Sequence, residues 1–221
     1  MDDGSASTEE SRQLLNELSA QGVTLAAATP HFYPDREKPA DFFARRERAF
    51  ASLGEQKELP VTLLPGAEVY FYPGISQTGE LPAFTIGKTG LLLLEMPFCD
   101  WTPFVVREVM SIRRDRSLRV VIAHIDRYLS AKNSGYFEDL HRNGVLFQLN
   151  ASALLDRKRR AAALELLESH IVQFIGSDCH NMQTRAPKLR EAYDVVEKKL
   201  GADAAGRIQE TSRSFFEDGD G

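Results

Sequence analysis

Asp178, Cys179 and His180 stand together just past an apolar run, Ile171 to Ile175, and each carries a side chain that can ligate a metal or attack an electrophile. A carboxylate and an imidazole two residues apart can reach one metal, or two adjacent ones, where a strand ends and the backbone turns. Taken alone, the stretch is equally a polar loop. Repetition decides the matter, because five of the six expected strands put a carboxylate or imidazole at or just past their C-terminal end: His31, Glu68, Glu95, His124, and Asp178 with His180. Imidazoles and carboxylates together are a donor set for zinc, manganese or iron, and carboxylates can bridge two ions. Three or more buried carboxylates without a cation would carry roughly several kcal/mol of repulsion and desolvation per ion.

Cys179 also begins a Cys-x5-Arg spacing that closes at Arg185, the pattern of cysteine-dependent phosphatases. Such a loop cradles phosphate with successive backbone N–H groups around a thiolate of lowered pKa. The residues between contain no glycine, and only Asn181 readily tolerates positive φ, so a tight anion nest is not expected. Cys179 is read as a small spacer between two ligands. His141 and His170 fall within or at the ends of helical patterns and are left out of the ligand set, while Gln148 and Asn150 are read as strand-end hydrogen bonders.

The elements that must position these residues alternate regularly. Apolar strands are expected over Val23 to Thr29, Val61 to Val69, Gly90 to Met96, Arg119 to Ile125, Val145 to Asn150 and Ile171 to Ser177. Helical patterns cover 5–22, with a capping-box start at Ser7, then Ala40 to Leu53, Phe104 to Arg114, Tyr136 to Arg142, Leu154 to His170, Pro187 to Leu200 and Ala202 to Phe216. Glu217 to Gly221 is expected to fray. Near-continuous apolar strands separated by helices predict an α/β fold with a parallel sheet and helices outside. In a parallel barrel all strand C-termini converge on one face, which makes neighbours of residues far apart in sequence.

At 221 residues with 43% hydrophobic content the chain is expected to form one domain over 1–221. A net charge of -5 argues against a nucleic-acid binder, and the cluster Arg157-Lys158-Arg159-Arg160 is read as a solvated helix face. No apolar run approaches the roughly 18 residues of a membrane span. The start is acidic where a signal peptide would be basic, and two cysteines fit a reducing compartment, so a cytoplasmic location is expected.

Ala28-Thr29-Pro30-His31, Pro65-Gly66-Ala67-Glu68, Leu94-Glu95-Met96, Ile122 to Tyr128 and Gly176 to Asn181, with Arg185-Ala186-Pro187 following, resemble the PHP (polymerase and histidinol phosphatase) superfamily. The nearest branch is the bacterial manganese-dependent protein-tyrosine phosphatases of capsular and exopolysaccharide loci. The resemblance implies a distorted seven-stranded, TIM-like β/α barrel around up to three divalent metal ions, usually manganese. By position Glu68, Glu95, His124 and Asp178 would serve two metals, Asp3, His31 and His180 the third, and Arg127 and Arg185 would bind phosphate. The implied substrate is a phosphotyrosine protein, a tyrosine autokinase of polysaccharide export, and a homo-oligomer is compatible with the family. The chain departs from the family at its start: a strand carrying His-x-His should precede Asp2-Asp3-Gly4, so a truncated member with six strands is expected. Two alternatives stay open, a weakly active or non-catalytic remnant that binds a phosphorylated partner, and a small-molecule phosphatase of the histidinol phosphate type.

Overall fold

The computed structural model describes residues 3–54, 58–114 and 117–217. Of the stretch expected to fray, Glu217 to Gly221, Glu217 ends the last helix and 218–221 lie outside the described residues. The first expected strand does not stop at Thr29. It is one bent run, β1 (Leu25–Ala28) and β2 (His31–Phe32), and beside it lies a second bent run, β3 (Thr62–Pro65) and β4 (Glu68–Tyr70). Leu25 pairs with Thr62 and His31 with Glu68 in one unbroken parallel register. The bends coincide with Pro30, which has no N–H to give, and with Pro65-Gly66. Two backbone bonds carry the ladder across them, Gly66 N to Ala28 O at 2.9 Å and Glu68 N to Pro30 O at 3.1 Å. Gly66 is needed here because a Cβ would stand 3.0 Å from Ile86 and 3.1 Å from Thr29.

From β4 the sheet continues in chain order through β5 (Leu91–Glu95), β6 (Arg119–Ile122), β7 (Leu146–Asn150) and β8 (Phe174–Gly176), every pairing parallel. Strands wound in one direction curl the sheet into a half-barrel, and among the described residues no strand joins β8 to β1 or β2. Six strand runs, two of them bent, therefore match the six expected from hydrophobic patterning.

α-Helices lie in the crossovers except the one from β4 to β5, which carries two short 3-10 turns, Ile75–Gln77 and Leu81–Phe84, and further helices precede β1 and follow β8. α1 (Thr8–Ala20) starts where Ser7 Oγ accepts from Glu10 N at 3.1 Å while the Glu10 carboxylate accepts from Ala6 N at 2.8 Å, a reciprocal cap. α2 (Pro39–Gly54) precedes β3, and α3 (Pro103–Ile112) starts at a Thr102 cap. α4 (Ala131–Arg142) begins five residues ahead of the expected Tyr136, because Ser130 caps it through Asn133 N. The expected helix over Leu154 to His170 is two helices, α5 (Ala151–Leu155) and α6 (Arg160–Glu168). Asp156 Oδ1 accepts from Lys158 N at 2.7 Å, a local bond that competes with helix continuation. Arg160 then covers the open carbonyls of Leu154 and Leu155 at 2.6 and 3.0 Å. α7 (Leu189–Leu200) and α8 (Ala202–Glu217) close the chain as expected.

The core beneath β2 is aromatic. Phe32, Phe42 and Phe84 are fully buried, and Phe84 meets Phe32, Phe43 and Phe42 at ring separations of 4.5, 4.7 and 5.5 Å. Phe32 directly follows His31, so this packing fixes the strand segment that carries an imidazole. Phe84→Ala is expected to lower stability by about 3–5 kcal/mol, read as a lower urea midpoint at unchanged slope.

Candidate functional site

Glu68 opens β4, Glu95 closes β5, and His124 follows β6, so three neighbouring strands deliver them to one end of the sheet. His124 Nε2 lies 2.8 Å from Glu68 Oε1 and 3.6 Å from Glu95 Oε1. His31, in register with Glu68 on the adjacent strand, turns Nδ1 toward the same pair, 3.9 Å from Glu68 Oε1 and 3.7 Å from Glu95 Oε2. Its opposite nitrogen, Nε2, faces Asp3 Oδ1 at 3.6 Å, and His180 Nε2 faces the same oxygen at 3.4 Å. Two donor groups result, His31-Glu68-Glu95 and Asp3-His31-His180, each with its ligand atoms within 4.8 Å of one another and with His31 common to both.

The electrostatics of the first group call for a cation. Glu68 and Glu95 are both buried, and the Glu95 carboxyl is pushed up by burial first and by Glu68 second. Among the described residues Glu95 Oε2 is buried with no hydrogen-bond partner. Native interiors rarely leave such atoms unmatched, and a metal ligand is one resolution of the cost. The donor set of oxygen and imidazole nitrogen suits a divalent metal of the zinc, manganese or iron kind. Burial first, and then the charges of Glu95 and Glu68, push the Tyr33 hydroxyl up to about 12.

Asp178 lies next to the rings but is engaged by donors. Its Oδ2 accepts from Arg127 at 3.0 Å, Arg185 at 2.6 Å and Asn150 Nδ2 at 2.7 Å. Arg185 also reaches Asp3 Oδ2 at 3.5 Å. Two guanidinium groups from separate loops thus converge beside the carboxylate cluster, and planar forks of this kind suit phosphate oxygens. A shallow pocket opens there between Arg127, Arg185, Ser152 and Lys188. Every sequence-predicted site residue, Asp3, His31, Glu68, Glu95, His124, Arg127, Asp178, His180 and Arg185, is in this neighbourhood.

A set of struts holds it. His124 and Asp178 both sit at positive φ, 34° and 50°, a costly backbone for residues with a Cβ, so their surroundings must fix them. Gln148 supplies part of that, its Oε1 accepting from His124 N at 2.6 Å and its Nε2 donating to Asn150 Oδ1 at 2.9 Å. Asn150 in turn donates to Asp178, so two polar residues of β7 couple the ends of β6 and β8. Gly176 makes room for this, since a Cβ there would stand 2.5 Å from Gln148 Nε2. The reading of Gln148 and Asn150 as hydrogen bonders fits this arrangement.

Three contributors were not read from the sequence. Asn181 Oδ1 accepts from the backbone N–H groups of Gln183, Thr184 and Arg185 at 3.0, 2.7 and 3.2 Å, which folds the loop back and returns Arg185 to Asp178. Asp126 is a buried carboxylate whose Oδ1 accepts from Asn150 N at 3.0 Å and whose Oδ2 accepts from Arg159 at 3.2 Å. The basic cluster is therefore not wholly a solvated face: Arg159 braces Asp126 and Arg160 caps α5. Phe98 stacks its ring on His124. An Asx-type turn signal at Asn181 before Thr184 and Arg185 was the available clue for the first of these.

Cys179 lacks the lowered pKa of a thiolate nucleophile. It packs against the apolar cluster of Leu15, Leu18, Leu53 and Val61, and burial pushes its thiol up. His141 and His170 stand outside the donor groups.

Residues 1–213 match the family model described as "Capsular polysaccharide synthesis, CpsB/CapC". The chain is 26% identical over 219 residues to the tyrosine-protein phosphatase YwqE of Bacillus subtilis, covering 96% of this chain and 85% of that protein. It is 27% identical to the tyrosine-protein phosphatase CpsB of Streptococcus agalactiae and 28% identical to that of Streptococcus pneumoniae, each covering 94% of this chain and 90% of the relative. A solved structure, from work on YwqE of Bacillus subtilis and CpsB of Streptococcus pneumoniae as "unique metal-dependent tyrosine phosphatases", superposes with a TM-score of 0.81 at 24% identity, over 96% of this chain and 88% of the other. That likeness bears out the distorted barrel. With nearly its whole length matched, this chain belongs to the CpsB/CapC family of capsular polysaccharide synthesis.

Proposed function

We propose that this chain is a metal-dependent protein-tyrosine phosphatase, and that its substrate is a tyrosine autokinase of capsule synthesis. The observation that carries the reading is the buried pair Glu68 and Glu95, with Glu95 Oε2 unmatched, beside two arginines on one carboxylate. The relatives' names supply the substrate class. Glu68, Glu95, His124 and Asp178 would hold two divalent ions, and Asp3, His31 and His180 a third, with manganese the proposed metal. Such ions, when bound, supply Lewis acidity toward a phosphoryl oxygen and a water of lowered pKa.

The chain's own groups do the rest. Arg127 and Arg185 bind the phosphate, each offering paired N–H donors to oxygens that gain charge as the ester bond breaks. Their shared contact with Asp178 orients both guanidinium groups before substrate arrives, so little side-chain freedom remains to be lost. Asn181 and Asn150 hold that geometry from behind. No side chain is required as a covalent carrier, because the Cys179 thiol packs against apolar residues and desolvation raises its pKa.

Chelation separates this mechanism from a thiolate one. Exhaustive metal removal is expected to abolish hydrolysis of a phosphotyrosine peptide, and manganese to restore it, while Cys179→Ser keeps kcat/KM within about threefold. Activity that survives chelation but vanishes in Cys179→Ser would reverse the assignment. A chain that binds no metal and hydrolyses nothing would be the non-catalytic remnant.

A further inference from the structure

Phe98 is 57% exposed, the most exposed large apolar side chain among the described residues. Its ring lies nearly parallel to His124, with centroids 6.0 Å apart and planes 14° apart, and stacks on Tyr128 at 5.5 Å and 28°. The loop that carries it is fixed at several points. Cys99 N donates to Pro97 O at 2.9 Å, Asn133 Oδ1 accepts from Trp101 N at 2.7 Å, Asn133 Nδ2 donates to Cys99 O at 3.1 Å, and Ser130 Oγ donates to Asp100 Oδ1 at 2.9 Å. Trp101 and Tyr128 are buried beneath it, with Tyr128 bonded to both the N–H and the carbonyl of Met96. An apolar ring is thus presented to solvent on a rigid mount at the rim of the donor cluster. Such exposure is ordinary for a lone surface residue; a ring stacked on an imidazole that itself sits 2.8 Å from Glu68 is not placed at random.

We propose that Phe98 is the surface against which the aromatic ring of the substrate rests, and so a residue that selects aryl over alkyl phosphate esters. This rests on the phosphatase reading above. A phosphoryl group held between the carboxylate cluster, Arg127 and Arg185 leaves its ester substituent one oxygen away, at the rim. An aromatic substituent there gains stacking and apolar contact with Phe98, whereas an alkyl substituent of serine size is too short to cover the ring. Tyr33 stacks on His31 at 5.2 Å, but its hydroxyl-bearing ring also lies under the Arg36 guanidinium at 4.4 Å, a more polar setting than that of Phe98.

The test uses the manganese-loaded chain and non-hydrolysable probes, so that binding is read separately from turnover. Phenylphosphonate and ethylphosphonate are titrated by calorimetry into the parent chain, Phe98→Ala and Phe98→Tyr. Phe98→Ala is expected to weaken phenylphosphonate about fivefold and ethylphosphonate less than about twofold, with Phe98→Tyr close to the parent for both. Equal weakening of the two probes, or no change in either, overturns the assignment. Hydrolysis of a phosphotyrosine peptide by the parent chain is measured beside it: its absence refutes the phosphatase reading, whatever the phosphonates show about Phe98.

Discussion

Glu95→Gln is expected to cut turnover of a phosphotyrosine peptide by roughly three orders of magnitude or more, and at the same time to raise the melting temperature of the metal-free chain. Both effects come from one burial. Glu95 is 4% exposed, beside Glu68, and its carboxyl is raised by desolvation first and by Glu68 second, with His31, His124 and Arg127 pulling it down by less. In the metal-free folded state the group therefore holds a proton at pH values where the unfolded chain has released it. Stability then falls as pH rises from the ordinary carboxylate range through the raised pKa. A neutral amide of the same shape escapes that loss, and a gain of about 1 kcal/mol is expected, the scale set by linkage to a raised carboxyl pKa. At this chain length the gain corresponds to about 2–4 °C at neutral pH, and the gap should close as pH falls into the carboxylate range. Scanning calorimetry of chelated samples between pH 4 and pH 8 reads it. A metal-free Gln variant that melts below the parent at neutral pH would show that Glu95 is matched in the folded chain by something other than a cation.

How much of this was legible beforehand follows from which interactions are local. Hydrophobic runs ending in a carboxylate or imidazole disclosed the strand order and one convergent face, because a parallel half-barrel brings every strand end to the same side. His31, Glu68, Glu95 and His124 were recoverable on that ground alone. Arg127 and Arg185 were not, since a guanidinium beside a loop is as often a surface ion pair; they came from the family resemblance, and only the fold shows that both reach Asp178. Pro30 and Pro65-Gly66 marked breaks, yet the sequence could not say that both strands resume in unchanged register beyond them. That depends on pairing between residues far apart in the chain. The split of the expected 154–170 helix depends likewise on a side-chain bond of Asp156, which no periodicity reports. Asp126 was the hardest to see, since it acts through Asn150 on β7 and Arg159 beyond α5 and lies at no spacing that marks a site, whereas Gln148 was legible as a strand-end hydrogen bonder but not its partner, the N–H of His124.

Arg185 carries the second large effect, because it serves two contacts that a single substitution separates. Its guanidinium bonds Asp178 Oδ2 at 2.6 Å and approaches Asp3 Oδ2 at 3.5 Å, whereas among the described residues Arg127 pairs with Asp178. Arg185→Ala is expected to lower kcat/KM by about 10²- to 10³-fold, the loss typical of one donor aimed at developing charge. Arg185→Lys keeps the charge but not the planar fork, and should recover only part of that loss. The metal content of the Lys variant, by mass analysis, should equal that of the parent, because a lysine ammonium still offers a cation to Asp178 and Asp3, the two proposed ligands that Arg185 contacts. Arg127 and Arg185 share one carboxylate oxygen, so the double alanine variant should fall short of the product of the single losses. Multiplicative losses would mean that the two act on separate substrate groups, and loss of metal in Arg185→Lys would mean that the residue works by holding Asp3 and Asp178 in place rather than by gripping phosphate.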